Sequence, residues 1–389
     1  MKRRIWGLIF VILLCAGCSV RPESEQMGFV QTYSWMTDSS PIPSRRTGID
    51  RQGIMTMQNG FECTDAGFYV MRDNWLLYCD HGSDTIIKLC ARPDCSHNNA
   101  ACNAYFDMGT NVCFSNGYLY VCSDSKLVRI DPDGNNRVTI LDAQAATESG
   151  NVGMRAPQVW NGIFTIGLKS IGESGEEVLQ QYFAPVDGSG KSMAETAVFL
   201  PKGNDGDTFI VAVGDTETEY YQWDPSTDQM IFLTKYLGDG YYGANEAFYI
   251  SEGIIWRLEY AVGTPRVFLD TGLSGSHALH CFPDCFIVSN LPTDEQLQNG
   301  VCVDTQVLRF YNWDCEFIGE LELTYPNATK PINPICGETA ERILLTDSVS
   351  YIPKYYIEKS DLGTGNIAIN EFALPESNDI FQDSFSTIG

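Results

Sequence analysis

LVRIDPDGNNRVTIL, residues Leu127 to Leu141, contains two short alternating apolar runs on either side of a turn. Leu127-Val128-Arg129-Ile130 and Val138-Thr139-Ile140-Leu141 have the period of two expected of strands half buried in a sheet. Asp131, Pro132, Asp133, Gly134 and Asn135 between them supply the residues that bend a chain back on itself. The stretch is therefore read as a β-hairpin. Weaker relatives occur around Pro185-Val186-Asp187-Gly188, in Tyr220–Leu233 and Ile254–Leu269, and again in Val307–Leu323 and Tyr355–Phe372. Upstream, Asn111 to Cys122 reads as another hairpin turning at Asn116-Gly117, a dipeptide suited to two successive positive-φ positions.

Placing the turn between the third and fourth strands of each unit near Arg92, Pro132, Val186, Pro225, Tyr260, Trp313 and Ser360 gives a period of about 45 residues. Each unit then has room for four short strands. A four-stranded unit cannot bury both faces alone, so the units must stack around a ring. The expectation is an all-β chain: a β-propeller of four-stranded antiparallel blades over residues 59–375, with seven blades, or six or eight because two units carry insertions. A pair of β-sandwiches fits the regular period less well. Residues 376–389 form a C-terminal tail.

The 389 residues are 44% hydrophobic and 12% aromatic, ample for a sizeable core. Lys2, Arg3 and Arg4 precede an apolar run, Ile5 to Leu14, too short to cross a membrane comfortably, and Ala16-Gly17-Cys18 follows. Residues 1–17 resemble a bacterial lipoprotein signal peptide, apart from Cys15, which stands where Leu is most common. The resemblance implies cleavage before Cys18 and lipidation of that cysteine. The mature chain would then sit on the extracytoplasmic face of a bacterial membrane, carried by its lipid anchor; an uncleaved anchor helix is the alternative. Residues 18–58, polar and broken by Pro22, Pro41 and Pro43, read as a flexible tether. Removing three basic residues with the signal takes the formal charge from −25 to −28. Such a field repels polyanions, which excludes nucleic acid as a partner, and it suits cationic partners or simple solubility.

The first unit departs from the others at Leu89-Cys90-Ala91-Arg92-Pro93-Asp94-Cys95-Ser96-His97-Asn98-Asn99-Ala100-Ala101-Cys102-Asn103-Ala104-Tyr105-Phe106. Its C-x4-C-x-H-x4-C spacing offers three thiols and an imidazole, a sufficient tetrahedral set for Zn²⁺. Cys90, Cys95, His97 and Cys102 are accordingly the metal candidates, with a structural zinc as the one cofactor. A disulfide with one thiol left over, or three free thiols, would staple the same turn. The segment resembles one found in the first blade of poorly characterised bacterial propeller lipoproteins, whose broader relatives include TolB-like and other ligand-binding propellers. That resemblance implies a lipid-anchored propeller outside the cytoplasm and no particular activity.

Other patterns fail on inspection. Asp131, Asp133, Asn135 and Asp142 echo a calcium loop, but Gly134 comes too early and no helix flanks it. His277 and His280, beside Cys281 and Cys285, are an odd number apart and would point to opposite faces of a strand. Gly190-Lys191-Ser192 and Gly272 to Ser276 miss the glycines of a phosphate loop and of a nucleophile elbow. No catalytic residue is assigned. Asp205, Asp207, Tyr236, Asp239, Tyr241, Tyr242 and Glu246 in inter-blade loops are candidates to bind a sugar, a peptide, a cation or an envelope protein, against the plainer reading that they pack or are solvated. Trp75, Trp160, Trp223, Trp256 and Trp313 read as blade packing. The expected function is a binding or interaction module. The alternative is a glycan-directed enzyme with paired carboxylates at the channel mouth.

Overall fold

The computed structural model describes residues 30–34, 46, 61–64, 66–107, 109–123, 126–142, 153–160, 163–171, 177–185, 200–205, 208–213, 219–224, 227, 229–235, 239–243, 245–291, 305–324, 335–346, 353–364 and 367–373. Residues 1–17, Cys18 and the 376–389 tail lie outside them. A strand, β1 (Val30–Ser34), precedes the blades. Blade 1 is β2 (Phe61–Thr64), β3 (Gly67–Arg72), β4 (Trp75–Asp80) and β5 (Ile86–Lys88). Blade 2 is β6 (Gly109–Ser115), β7 (Tyr118–Ser123), β8 (Lys126–Ile130) and β9 (Val138–Asp142). The third sheet has three described strands, β10 (Gly153–Trp160), β11 (Ile163–Ile171) and β12 (Glu177–Pro185). Then come β13 (Leu200–Asp205), β14 (Thr208–Val213), β15 (Glu219–Asp224) and β16 (Gln229–Lys235), followed by β17 (Asp239–Tyr242), β18 (Glu246–Ser251), β19 (Ile254–Glu259) and β20 (Arg266–Asp270). Blade 6 is β21 (His277–Cys281), β22 (Phe286–Asn290), β23 (Thr305–Tyr311) and β24 (Phe317–Thr324). Blade 7 is β25 (Ile335–Glu338), β26 (Arg342–Leu345), β27 (Tyr355–Glu358) and β28 (Ile369–Glu371).

Each blade is an antiparallel meander of consecutive strands, so the described residues form an all-β propeller, with six full four-stranded blades, one of them extended by β1, beside the three-stranded sheet. The apolar clusters explain why it closes on itself. Tyr69 and Leu76 of blade 1 pack with Val112, Leu119 and Val128 of blade 2. Ile210, Tyr220 and Leu233 pack with Tyr242, Tyr249 and Leu258 across the junction between the fourth and fifth sheets. Phe248 and Ile255 meet Phe286, Val288 and Trp313, and Leu308 and Leu321 meet Ile343 and Ile357. Each cluster takes residues from two successive blades, so a blade is buried only by having a neighbour on each side.

Ring closure follows from the same rule. Phe68, Val70 and Leu77 of blade 1 form one core with Cys336, Leu344, Tyr356 and Phe372 from the end of the chain. Thr85 bridges Ala373 in parallel, the Ala373 N–H donates to Asp84 O at 2.6 Å, and the Ile86 N–H donates to Ala373 O at 3.1 Å. Beside this seam Arg342 donates to Ser83 O (2.7 Å), Asp84 Oδ1 (3.0 Å) and Glu358 Oε1 (3.0 Å), with its guanidinium 4.0 Å from the Tyr356 ring centroid. Between blades 6 and 7, the buried Lys359 ammonium donates to Glu338 and, at 3.0 Å, to Asp284.

The hairpin at Leu127 to Leu141 forms as expected: Leu127 pairs with Leu141, and the Gly134 N–H donates to Asp131 O at 2.8 Å. The echo of a calcium loop is thus a hairpin turn. Asn116 and Gly117 take φ values of 50° and 81°, the left-handed pair of a two-residue hairpin. One placement is corrected. In blade 1 the turn between the third and fourth strands is at 81–84, not near Arg92, because Ile86 and Ile87 pair back onto Cys79 and Tyr78 and make the fourth strand themselves. The cysteine segment is consequently the linker from blade 1 to blade 2. The segment before the blades contributes two described features: β1 adds a fifth strand to β24 with Val30 opposite Thr324, and Arg46 docks near blades 5 and 6. Among the described residues no helix is long and apolar enough to cross a membrane.

Candidate metal centre

The linker from Leu89 to Phe106 is held at both ends by backbone bonds to blade 1. The Leu89 N–H donates to Leu76 O at 2.9 Å, the Leu76 N–H to Ala104 O at 2.8 Å, and the Phe106 N–H to Asn74 O at 2.7 Å. Trp75 bridges Tyr105, their rings edge to face at 5.3 Å, while Cys102, Ala104 and Phe106 are fully buried. Blade 2 grips the other side. Asn103 Nδ2 donates to Gly134 O (2.9 Å), and Arg137 donates to Tyr105 O (2.6 Å) with its guanidinium 3.9 Å from the Phe106 ring. Gly134 has φ 84° and lies so close that a Cβ there would sit 2.6 Å from Leu89 O, so glycine is demanded twice.

With its ends fixed, the loop folds inward. Turns donate from the Cys95 N–H to Arg92 O (3.2 Å) and from the Cys102 N–H to Asn99 O (3.0 Å). Arg92 caps the fold through Ala101 O (2.9 Å). His97 takes a positive φ of 55°, and its carbonyl accepts from Lys88 Nζ at 2.6 Å, an ammonium that also lies 3.8 Å from the Trp75 ring centroid. The four expected ligands converge: Cys90, Cys95 and Cys102 Sγ and a ring nitrogen of His97 all lie within 4.8 Å of one another. Cys102 is buried and the other three are half-buried. No disulfide joins Cys90, Cys95 or Cys102.

The donor set fits zinc. Around a tetrahedral Zn²⁺ with bonds of about 2.3 Å to sulfur and 2.0 Å to nitrogen, neighbouring ligand atoms stand about 3.5 to 3.8 Å apart. Cys102 Sγ is 3.5 Å from His97 Nδ1, already that edge. The electrostatics suit a thiolate site without yet being one. Burial opposes ionisation of Cys90, but donation from the backbone N–H groups of Arg92 and Asn103 and from the Cys102 and Cys95 thiols outweighs it, so the thiol lies below its usual range. Cys102, deeper, is pushed up to about 12, chiefly by burial. A divalent cation reverses that penalty by deprotonating the thiol it binds.

The remaining candidates separate. Tyr241 and Tyr242 are core residues. Glu246 is ion-paired with Arg46 and Arg257. Asp205 and Asp239 fall within strands β13 and β17, and Asp207 and Tyr236 lie outside the described residues. Trp75 and Trp313 are buried between blades, as expected, Trp223 is fully buried, and the half-buried Trp256 packs against the core that contains Tyr242 and Tyr249. His277 and His280 do not share a site. His277 meets Gly275 O at 3.0 Å, whereas His280, whose Nε2 is 3.4 Å from Ser289 Oγ, is held down at about 4 by burial. Arg46 had no signal in the sequence: nothing there distinguishes it from Arg45.

No family model and no curated protein matches the chain. Solved structures with a similar path include TolB from Acinetobacter baumannii, at 14% identity over 81% of this chain and 79% of TolB, with a TM-score of 0.37. An uncharacterised protein of Listeria monocytogenes matches at 10% identity over 82% of this chain and 90% of its own, with a TM-score of 0.41. A puromycin-hydrolyzing peptidase of Mycobacterium tuberculosis matches at 9% identity over 89% of this chain, with a TM-score of 0.47, and this chain spans only 57% of the peptidase.

Proposed function

We propose that the chain is a lipid-anchored, extracytoplasmic β-propeller that acts as a rigid binding or docking module, its first two blades stapled by a zinc ion held by Cys90, Cys95, His97 and Cys102. The observation that carries this reading is the placement of the Cys₃His cluster. It sits in the linker between two blades, gripped from both, and its four donors lie within 4.8 Å of one another, a number and kind that would complete a tetrahedral zinc site. A site closed by protein ligands leaves no position for substrate, so the metal would supply stiffness to the ring and not chemistry. Rigid blades that present loops from several units are suited to recognition, and the strongly negative charge favours cationic partners.

Two measurements on the full chain test this. Metal content after purification without chelators or oxygen should approach one zinc per chain and fall to background in Cys95→Ser; a metal-free wild type with all its thiols titratable would sink the staple. Cys18→Ser should move the protein from the membrane fraction to the soluble extracytoplasmic fraction; retention in the membrane would sink the lipid anchor.

A further inference from the structure

Between β1 and β2, Arg46 enters a pocket whose described walls come from blades 5 and 6. Arg46 Nε and Nη2 donate to Glu246 Oε1 at 3.1 and 2.6 Å. Its guanidinium carbon lies 5.0 Å from the Phe248 ring centroid and 5.2 Å from that of Trp313, and its backbone N–H donates to Pro283 O at 2.8 Å. The side chain remains 22% exposed, so the pocket opens to solvent.

The walls are also held by contacts of their own. Arg257 Nε holds the other carboxylate oxygen of Glu246 at 2.5 Å and so fixes its plane. The Trp313 indole N–H donates to Phe282 O at 2.9 Å, and Phe248, Phe268 and Phe286 stand around the indole at centroid distances of 5.1, 6.1 and 5.2 Å. A carboxylate held in orientation, two aromatic rings and a carbonyl for the adjoining amide form a receptor for a guanidinium on a peptide. A lysine would make fewer of these contacts, having a point charge in place of a planar fork.

We propose that the Glu246, Phe248 and Trp313 pocket is an arginine-recognition site, which the chain fills with its own Arg46 and which an arginine of a basic peptide enters by displacing it. The biological use of the pocket rests on the docking-module reading above, but the pocket itself is testable without it. The experiment follows tryptophan fluorescence and thermal stability of the full chain carrying Arg46→Ala, titrated with N-acetyl-arginine amide. Saturable binding is expected, at least tenfold weaker in the wild type where Arg46 competes, absent for the neutral N-acetyl-citrulline amide, and lost in Arg46→Ala/Glu246→Gln. A folded Arg46→Ala chain with no saturable response, or with an equal response to the citrulline analogue, overturns the proposal. Should Arg46→Ala fail to fold, refolding by the arginine amide and not by the citrulline analogue supports the site, and failure of that rescue overturns it. A chain that takes the amide yet captures no arginine-containing basic peptide would count against the docking reading and leave the pocket in place.

Discussion

Arg342 reaches across the seam that closes the ring, and Arg342→Ala tests its part in that closure. Its guanidinium, only 9% exposed, makes three charge-assisted hydrogen bonds, two of them across the seam to Ser83 and Asp84 of the first blade and one to Glu358 within the last. Such bonds contribute about 1.5 to 3 kcal/mol each when desolvated. Asp84 is 57% exposed and Glu358 30%, so solvent screens the two ionic ones, and the bond to Ser83 O together with the contact on Tyr356 carries most of the rest. The expected loss is about 3 kcal/mol, read as unfolding free energy in urea. Arg342→Met keeps the aliphatic stem over Tyr356 and should lose somewhat less, which isolates the charge. Because the damage is local to the seam, amide exchange at Ile86 and Ala373 should accelerate by about a hundredfold, while Val128 in blade 2 is unchanged. A loss under about 1 kcal/mol, or equal acceleration throughout, would refute the claim that this residue closes the ring.

Other outcomes follow from the same structure. Cys95→Ser, or a strong chelator, should abolish metal retention and lower the melting temperature with blades 1 and 2 loosening first, checked by exchange at the Leu76 and Phe106 amides. Gly134→Ala should cost about 2 kcal/mol, because a positive φ and a carbonyl 2.6 Å away both oppose the new methyl. It should also weaken zinc retention against a chromophoric chelator, since the methyl pushes against Leu89 and Cys90. Burial raises Glu62 to about 8, against a weaker opposing hydrogen bond from the Phe114 backbone, and depresses His280 to about 4. A folded state that keeps a carboxyl proton the unfolded chain has shed loses stability as pH rises from about 4.5 to 8; a buried neutral histidine adds stability as pH rises from about 4 to 6.5. The two slopes oppose each other up to about pH 6.5. Above it, of these two, only Glu62 acts, and it should lower stability by about 2 kcal/mol between pH 6.5 and 8. Glu62→Gln should flatten that limb, and a wild type equally stable at both pH values would contradict the assignment.

Much of the propeller was legible because its information is local. Asn116-Gly117 and the Asp131 to Asn135 turn announce hairpins through backbone conformations few other residues accept, and a repeat of about 45 residues follows from counting them. The Cys₃His cluster was legible for the same reason, its donors lying within one short segment. The first blade was misjudged by half a hairpin because Ile86 and Ile87 suit a third strand as well as a fourth. Only the pairing of Ile86 with Cys79 and of Ile87 with Tyr78 decides, and that is a contact between strands, not a property of either. Arg46 and Arg342 were invisible for a stronger reason: their partners lie 200 and 258 residues away in the chain. Tyr241 and Tyr242 were offered as loop residues because aromatic side chains do not disclose which side of a strand meets a neighbouring blade.

The strand β1 gives the molecule a mechanical property. Its five residues lie antiparallel along β24, from Val30 opposite Thr324 to Ser34 opposite Glu320. Tension applied along the N-terminal segment in line with the strand would load those rungs together, in shear, and not peel them one at a time. Blade 6 would take the force first and pass it sideways into its neighbours through the apolar layers packed between the blades, so the ring would meet a tug as a hoop meets a spoke under strain.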